Sequence, residues 1–99
     1  MNFDEIISKF IDFNNIEFIM VIQYSPDTIL TILNIDNKKY VLVETDYFDG
    51  PFEIIHIKES FGLIVKQWIK PKNYNPKEYD APAYYNKETK VAYGLALVK

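Results

Sequence analysis

The chain has no cysteine, no arginine, a single histidine and three isolated glycines. Without cysteine there is no disulfide framework, no thiolate metal site and no cysteine nucleophile, and the absence fits a reducing compartment. One histidine, His56, cannot build a zinc centre of the usual two- or three-imidazole kind. All eleven basic residues are lysine. The bidentate recognition of guanine or phosphate that arginine supplies is therefore missing, and with a pI near 5.0 sequence-specific nucleic-acid binding is not expected. Gly50, Gly62 and Gly94 stand apart and form no phosphate-cradling loop. No apolar run reaches about 18 residues and no basic-then-apolar leader pattern is present. Neither a membrane span nor a secretory leader is expected, and the expected location is cytoplasmic.

What is present points to one small globular domain over residues 1–99. The composition is 48% hydrophobic and 25% charged, with sixteen aromatic residues, eight of them tyrosine. A chain of this mass buries about 65% of its unfolded surface, enough for a core without staples. Fourteen isoleucines, eleven lysines and eight asparagines against four alanines favour residues with A/T-rich codons. That bias suggests a low-GC bacterium, or a phage or other mobile element of one.

Hydrophobic spacing gives the elements. Phe3, Ile6, Ile7, Phe10, Ile11 and Phe13 share one side of a helical wheel, with Asn2 as N-cap, Glu5 in capping-box position and Asn14-Asn15 as the stop. Ile16–Tyr24 alternates as a strand with Ile16, Phe18, Met20, Ile22 and Tyr24 on one face. Ser25–Thr28 is a turn, Thr28–Ile35 and Lys39–Thr45 are two more strands, and polar turns between them imply an antiparallel meander covered on more than one side. A short strand follows at Phe52–Ile57. Glu59–Lys70 reads as a helix with Phe61, Ile64, Val65, Trp68 and Ile69 in one arc and Pro71 ending it. As a strand, the alternative, Gln67 and Trp68 break the alternation. Lys70–Pro82 has no period and carries three prolines, so it is an irregular loop. Tyr84-Tyr85 and Val91–Val98 form a last hairpin around Asn86–Thr89, with Ala92, Gly94 and Ala96 marking a face for close packing, such as by a helix. The expected class is α+β: an antiparallel sheet of five to six strands packed by two helices, in the order α-β-β-β-β-α-loop-β-β.

No catalytic constellation emerges. His56 alternates with Ile55 and Ile57, no triad spacing accompanies it, and Ser8, Ser25 and Ser60 have cap or turn roles. Glu44, Asp46, Asp49 and Glu53 gather around a Gly-Pro turn, but their spacing lacks the calcium-loop pattern, so a solvated turn is the plainer reading. Charge divides unevenly, net −6 over residues 1–50 and +3 over 51–99, a polarity suited to docking on a charged surface.

Tyrosines between Lys70 and Tyr85 lack a periodic apolar face to enter. Tyr74, Tyr79, Tyr84 and Tyr85, with Lys72 and Lys77 in the rim, form the candidate partner surface, since tyrosine supplies contact area at low entropic cost. The expected function is that of a non-catalytic domain that occludes a protein partner, an inhibitor- or immunity-type accessory protein. No cofactor is implied, and a homodimer is compatible with the sequence. The alternative is a small-molecule or nucleotide-binding module with at most weak hydrolytic activity, stacking on tyrosine and setting Lys66, Lys70 or Lys72 against an anion.

Overall fold

In the computed structural model, residues 2–46, 64–74 and 83–99 are described. The expected strand at Phe52–Ile57, with His56, and the loop residues 75–82 lie outside them. Among these residues one short helix, α1 (Phe3–Ser8), precedes six strands: β1 (Ile16–Ser25), β2 (Thr28–Ile35), β3 (Lys38–Thr45), β4 (Val65–Ile69), β5 (Tyr84–Asn86) and β6 (Val91–Val98). They form a single antiparallel sheet in the order β1-β2-β3-β6-β4, and β5 shares the β4 side of β6. The radius of gyration is 12.5 Å, against about 12.6 Å for a compact chain of this length. No helix among the described residues is long and apolar enough to cross a membrane.

The meander follows from its turns. Ile35 pairs with Lys38, leaving Asp36 and Asn37 as a two-residue loop with φ of 49° and 70°. Left-handed backbone at both positions suits the twist of a hairpin, and Asp and Asn tolerate it better than other non-glycine residues. The Asp36 carboxylate also accepts the backbone N–H groups of Asn14 (3.1 Å) and Asn15 (2.9 Å), and its own N–H donates to the Asn15 carbonyl (3.0 Å). One turn residue thus fixes both a hairpin and the chain entering β1.

That anchor, together with tightened hydrogen bonding, shortens the expected helix. The Asn2 side chain accepts from Glu5 N–H at 2.9 Å, as its capping position implies. At the other end Lys9 and Phe10 donate to the Ile6 and Ile7 carbonyls, three-residue steps that close the last turn. The chain beyond Phe10 then runs toward the Asp36 carboxylate instead of continuing the helix to Phe13.

Both faces of the central strands are buried. On the helix face, Ile6, Ile7 and Phe10 pack against Leu33, Ile35, Tyr40, Leu42, Tyr93 and Leu95. On the other, Leu30, Ile32, Val41, Val43, Ala96 and Val98 form a second cluster, with Trp68 and Val65 against it. Ala92, Gly94 and Ala96 belong to this second face, opposite α1. The close packing expected there is met at Ala96 by Trp68, which is a strand neighbour and not part of a helix.

The second expected helix is absent where the structure describes its segment. Val65–Ile69 is β4, paired with β6, while Glu59–Leu63 lies outside the described residues. Val65 opposes Val98 and Gln67 opposes Leu97, so Lys66 is an extra residue, a β-bulge. The bulge puts Val65 and Trp68 on one face although they are three apart, the spacing that imitates a helix. The same device alters β1. Phe18 opposes Leu33 and Met20 opposes Ile32, making Ile19 the extra residue. Ile16 and Phe18 therefore share the helix face, with Phe3 edge-on to Phe18 at 4.9 Å. Met20 and Ile22 turn to the opposite face, contrary to simple alternation. Of the α+β class expected, the mainly antiparallel six-stranded sheet in one domain stands, and the two packing helices reduce to one short one among the described residues.

Phe10 is 4% exposed at the centre of the α1 contact. Phe10→Ala should cost about 3–5 kcal/mol, the usual range for a buried phenylalanine. Trp68→Ala, at a half-buried strand position, should cost less; denaturant unfolding of both variants measures the difference.

Candidate functional site

Three separate stretches converge beside the end of α1. Ser8 and Lys9, then Pro71–Tyr74, then Ala83–Tyr85 with Lys87, line an open cleft of about 440 Å³. Backbone pairing builds it: Lys72 N–H donates to the Lys9 carbonyl at 2.8 Å, and Tyr74 N–H donates to the Pro71 carbonyl at 3.0 Å. The Lys72 ammonium also pairs with the exposed Asp12 carboxylate. On the strand side, Asn86 opposes Val91 and its side chain accepts the N–H groups of Glu88 (3.0 Å) and Thr89 (3.3 Å). Lys90 takes φ 60° to close the turn, which carries Lys87.

The aromatic groups are held rather than loose. Tyr84 stacks on Tyr93 with centroids 6.1 Å apart, and the Lys9 ammonium lies 5.6 Å from the Tyr84 centroid. Lys70 sits 6.0 Å from the Tyr74 ring. Cation–π contacts of this length contribute about 0.5–1 kcal/mol at exposed sites. Lys9, Lys72 and Lys87 line the cleft, and no carboxylate is among its described lining residues.

Of the candidate surface, Tyr74, Tyr84, Tyr85 and Lys72 are therefore brought together, whereas Lys77 and Tyr79 lie outside the described residues. Lys66, at the β4 bulge, and Lys70, which lies over the Tyr74 ring, are not among the described lining residues. Ser8, Lys9 and Lys87 are additions that sequence reasoning missed. Nothing in local spacing signals that the α1 end lies beside β5.

The acidic group is a different place. Glu44 and Asp46, with Asp27, line a notch of about 190 Å³ by the β1–β2 turn, while Asp49 and Glu53 lie outside the described residues. Asp46 N–H donates to the Asp27 carbonyl at 3.2 Å. Among the described residues no three acidic or imidazole groups form a metal-holding set. Glu44 lies opposite Tyr93 on the helix face. Burial raises its pKa above the ordinary carboxylate value. Burial also raises that of Tyr93, helped by the nearby Glu44 charge and by Tyr84.

No family model, no curated protein and no solved structure matches the chain.

The Glu44 shift has a definite sign. Because its folded pKa is raised, the folded state holds the proton more tightly, so the contribution of Glu44 to stability is greatest below its unfolded pKa and is lost as pH rises through the folded one. Glu44→Gln should raise the melting temperature at pH 7, with the advantage shrinking toward pH 4. Thermal melts across that range check it.

Proposed function

We propose that the chain is a non-catalytic protein-binding domain that acts by occluding a partner, an inhibitor- or immunity-type accessory protein such as phages and mobile elements of low-GC bacteria carry. The observation behind this reading is the cleft: three tyrosines and three lysines from distant parts of the chain share one concavity whose described lining has no carboxylate. Tyrosine rings offer rigid apolar area with a polar tip, and lysines at the rim steer an acidic partner segment into register. Part of the cleft is pre-ordered by backbone hydrogen bonds, which lowers the entropy lost on binding.

Capture of partners from a host lysate, at low and at physiological salt, tests the proposal; repeated recovery of nothing would sink it. With a partner in hand, Tyr74→Ala should weaken binding by about 2 kcal/mol or more, as hot-spot truncations do, while the denaturation midpoint barely moves. Were Tyr74 instead a pin for its own loop, stability would fall and the folded protein would bind unchanged.

The cleft volume favours a second reading, a small anionic ligand such as a nucleotide, because about 300–1,000 Å³ is the usual size of such sites. A ligand at 100 times its dissociation constant adds about 2.7 kcal/mol of stability. A thermal-shift screen of nucleotides should then show a rise of several degrees; a flat screen retires this reading and leaves the first.

A further inference from the structure

We propose that β1 is a self-association edge, pairing antiparallel with β1 of a second copy about a two-fold axis at Val21. Among the described residues, β1 ends the sheet order and pairs with β2 on one side only. It is ten residues long, with a single charged side chain, Glu17, and neither lysine nor proline. Exposed edges are ordinarily protected by charge, proline or brevity, because their free N–H and C=O groups are a template for another strand. The opposite edge has such protection: β4 and β5 are five and three residues long, and Lys66 sits at the β4 bulge.

The side chains of β1 show what covers it. Phe18, Ile19, Met20, Val21 and Tyr24 keep 46–65% of their surface exposed. They lie along one edge on both faces of the sheet, and their exposed areas sum to on the order of 500 Å². Full burial in both copies would remove at most on the order of 1,000 Å², where specific interfaces begin. Val21 is the most exposed of the five, and it lies near the middle of the set.

A two-fold there is self-complementary. Met20 faces Ile22 of the second copy, two apolar side chains on the same sheet face, and by residue count Glu17 faces Ser25. Like charges directly opposite are unfavourable. The two Glu17 carboxylates end up about 26 Å apart along the strands at about 3.3 Å per residue, well beyond the Debye length of about 8 Å. The register irregularities of β1, at Ile19 and Tyr24, lie outside the central Met20–Ile22 run, which is regular. A symmetric pair uses up the free β1 edge of each copy, so assembly stops at two.

Sedimentation equilibrium of the full chain between about 1 µM and 1 mM should show a monomer–dimer equilibrium. A monomer throughout, or species larger than a dimer, overturns the proposal. Val21→Lys sets two ammonium groups face to face and should weaken the dimer by about tenfold or more, whereas Ile64→Lys, at an exposed site near β4, should leave it unchanged. A dimer insensitive to Val21→Lys would place the interface elsewhere. Should Val21→Lys fail to fold, the absence of native cysteine permits a second measurement. Under mild oxidation Val21→Cys should cross-link to a dimer much faster than Glu17→Cys, because only residues facing their own copies across the axis meet disulfide geometry. Equal rates would overturn the register and, with it, the proposal.

Discussion

β6 is the strand on which both parts of the sheet close. Its Ala92–Leu97 stretch pairs with β3 on one side, and its other edge is divided between β5 and β4. The hairpins β1–β2–β3 can form from neighbouring residues, but the β3–β6 ladder joins positions 47 to 57 residues apart. Such pairing meets its loop-closure cost before the contacts reward it. Gly94 and the alanines at 92 and 96 keep the second face of this strand low enough for Trp68 and its neighbours to pack across. The cleft depends on the same closure, because β6 supplies Tyr93 beneath Tyr84 and holds β5 in place.

Much of the sheet was legible in the sequence because its turns are chemical signals. Pro26-Asp27 and Asp36-Asn37 mark the first two hairpins, and the β-branched runs between them have little choice but to pair. The departures in β4 and β1 share one cause. A β-bulge shifts the two-residue alternation by one, so that side chains three apart reach the same face, and Val65 and Trp68 then look helical. In β1 the same shift at Ile19 divides residues that strict alternation would place together. The overlong helix has a different origin: its end is decided by Asp36, a residue from a hairpin far along the chain.

The candidate site was legible by residue type and not by place. Tyr74, Tyr84, Tyr85 and Lys72 stood out as tyrosines and lysine in a stretch without a period, and they do meet. Lys9 looked like an ordinary polar-face helix residue, and Lys87 an ordinary turn residue. Their neighbourhood is created by the Lys72 N–H bond to the Lys9 carbonyl and by the position of β5 on β6. The uneven charge along the chain has a spatial counterpart: lysines line one concavity, and Asp27, Glu44 and Asp46 line another.

α1 is six residues long, well under the length at which a helix persists by itself in water. It survives because Ile6, Ile7 and Phe10 rest on the sheet and because Asp36 and Lys72 hold the chain that follows. An opening that lifts it from the sheet must also melt it, and Ser8 and Lys9, one wall of the cleft, go with it. Helicity at the N-terminus and occupancy of the cleft are therefore two readouts of one local equilibrium. A molecule that grips Lys9 slows amide exchange at Ile6 and Ile7, residues it never touches.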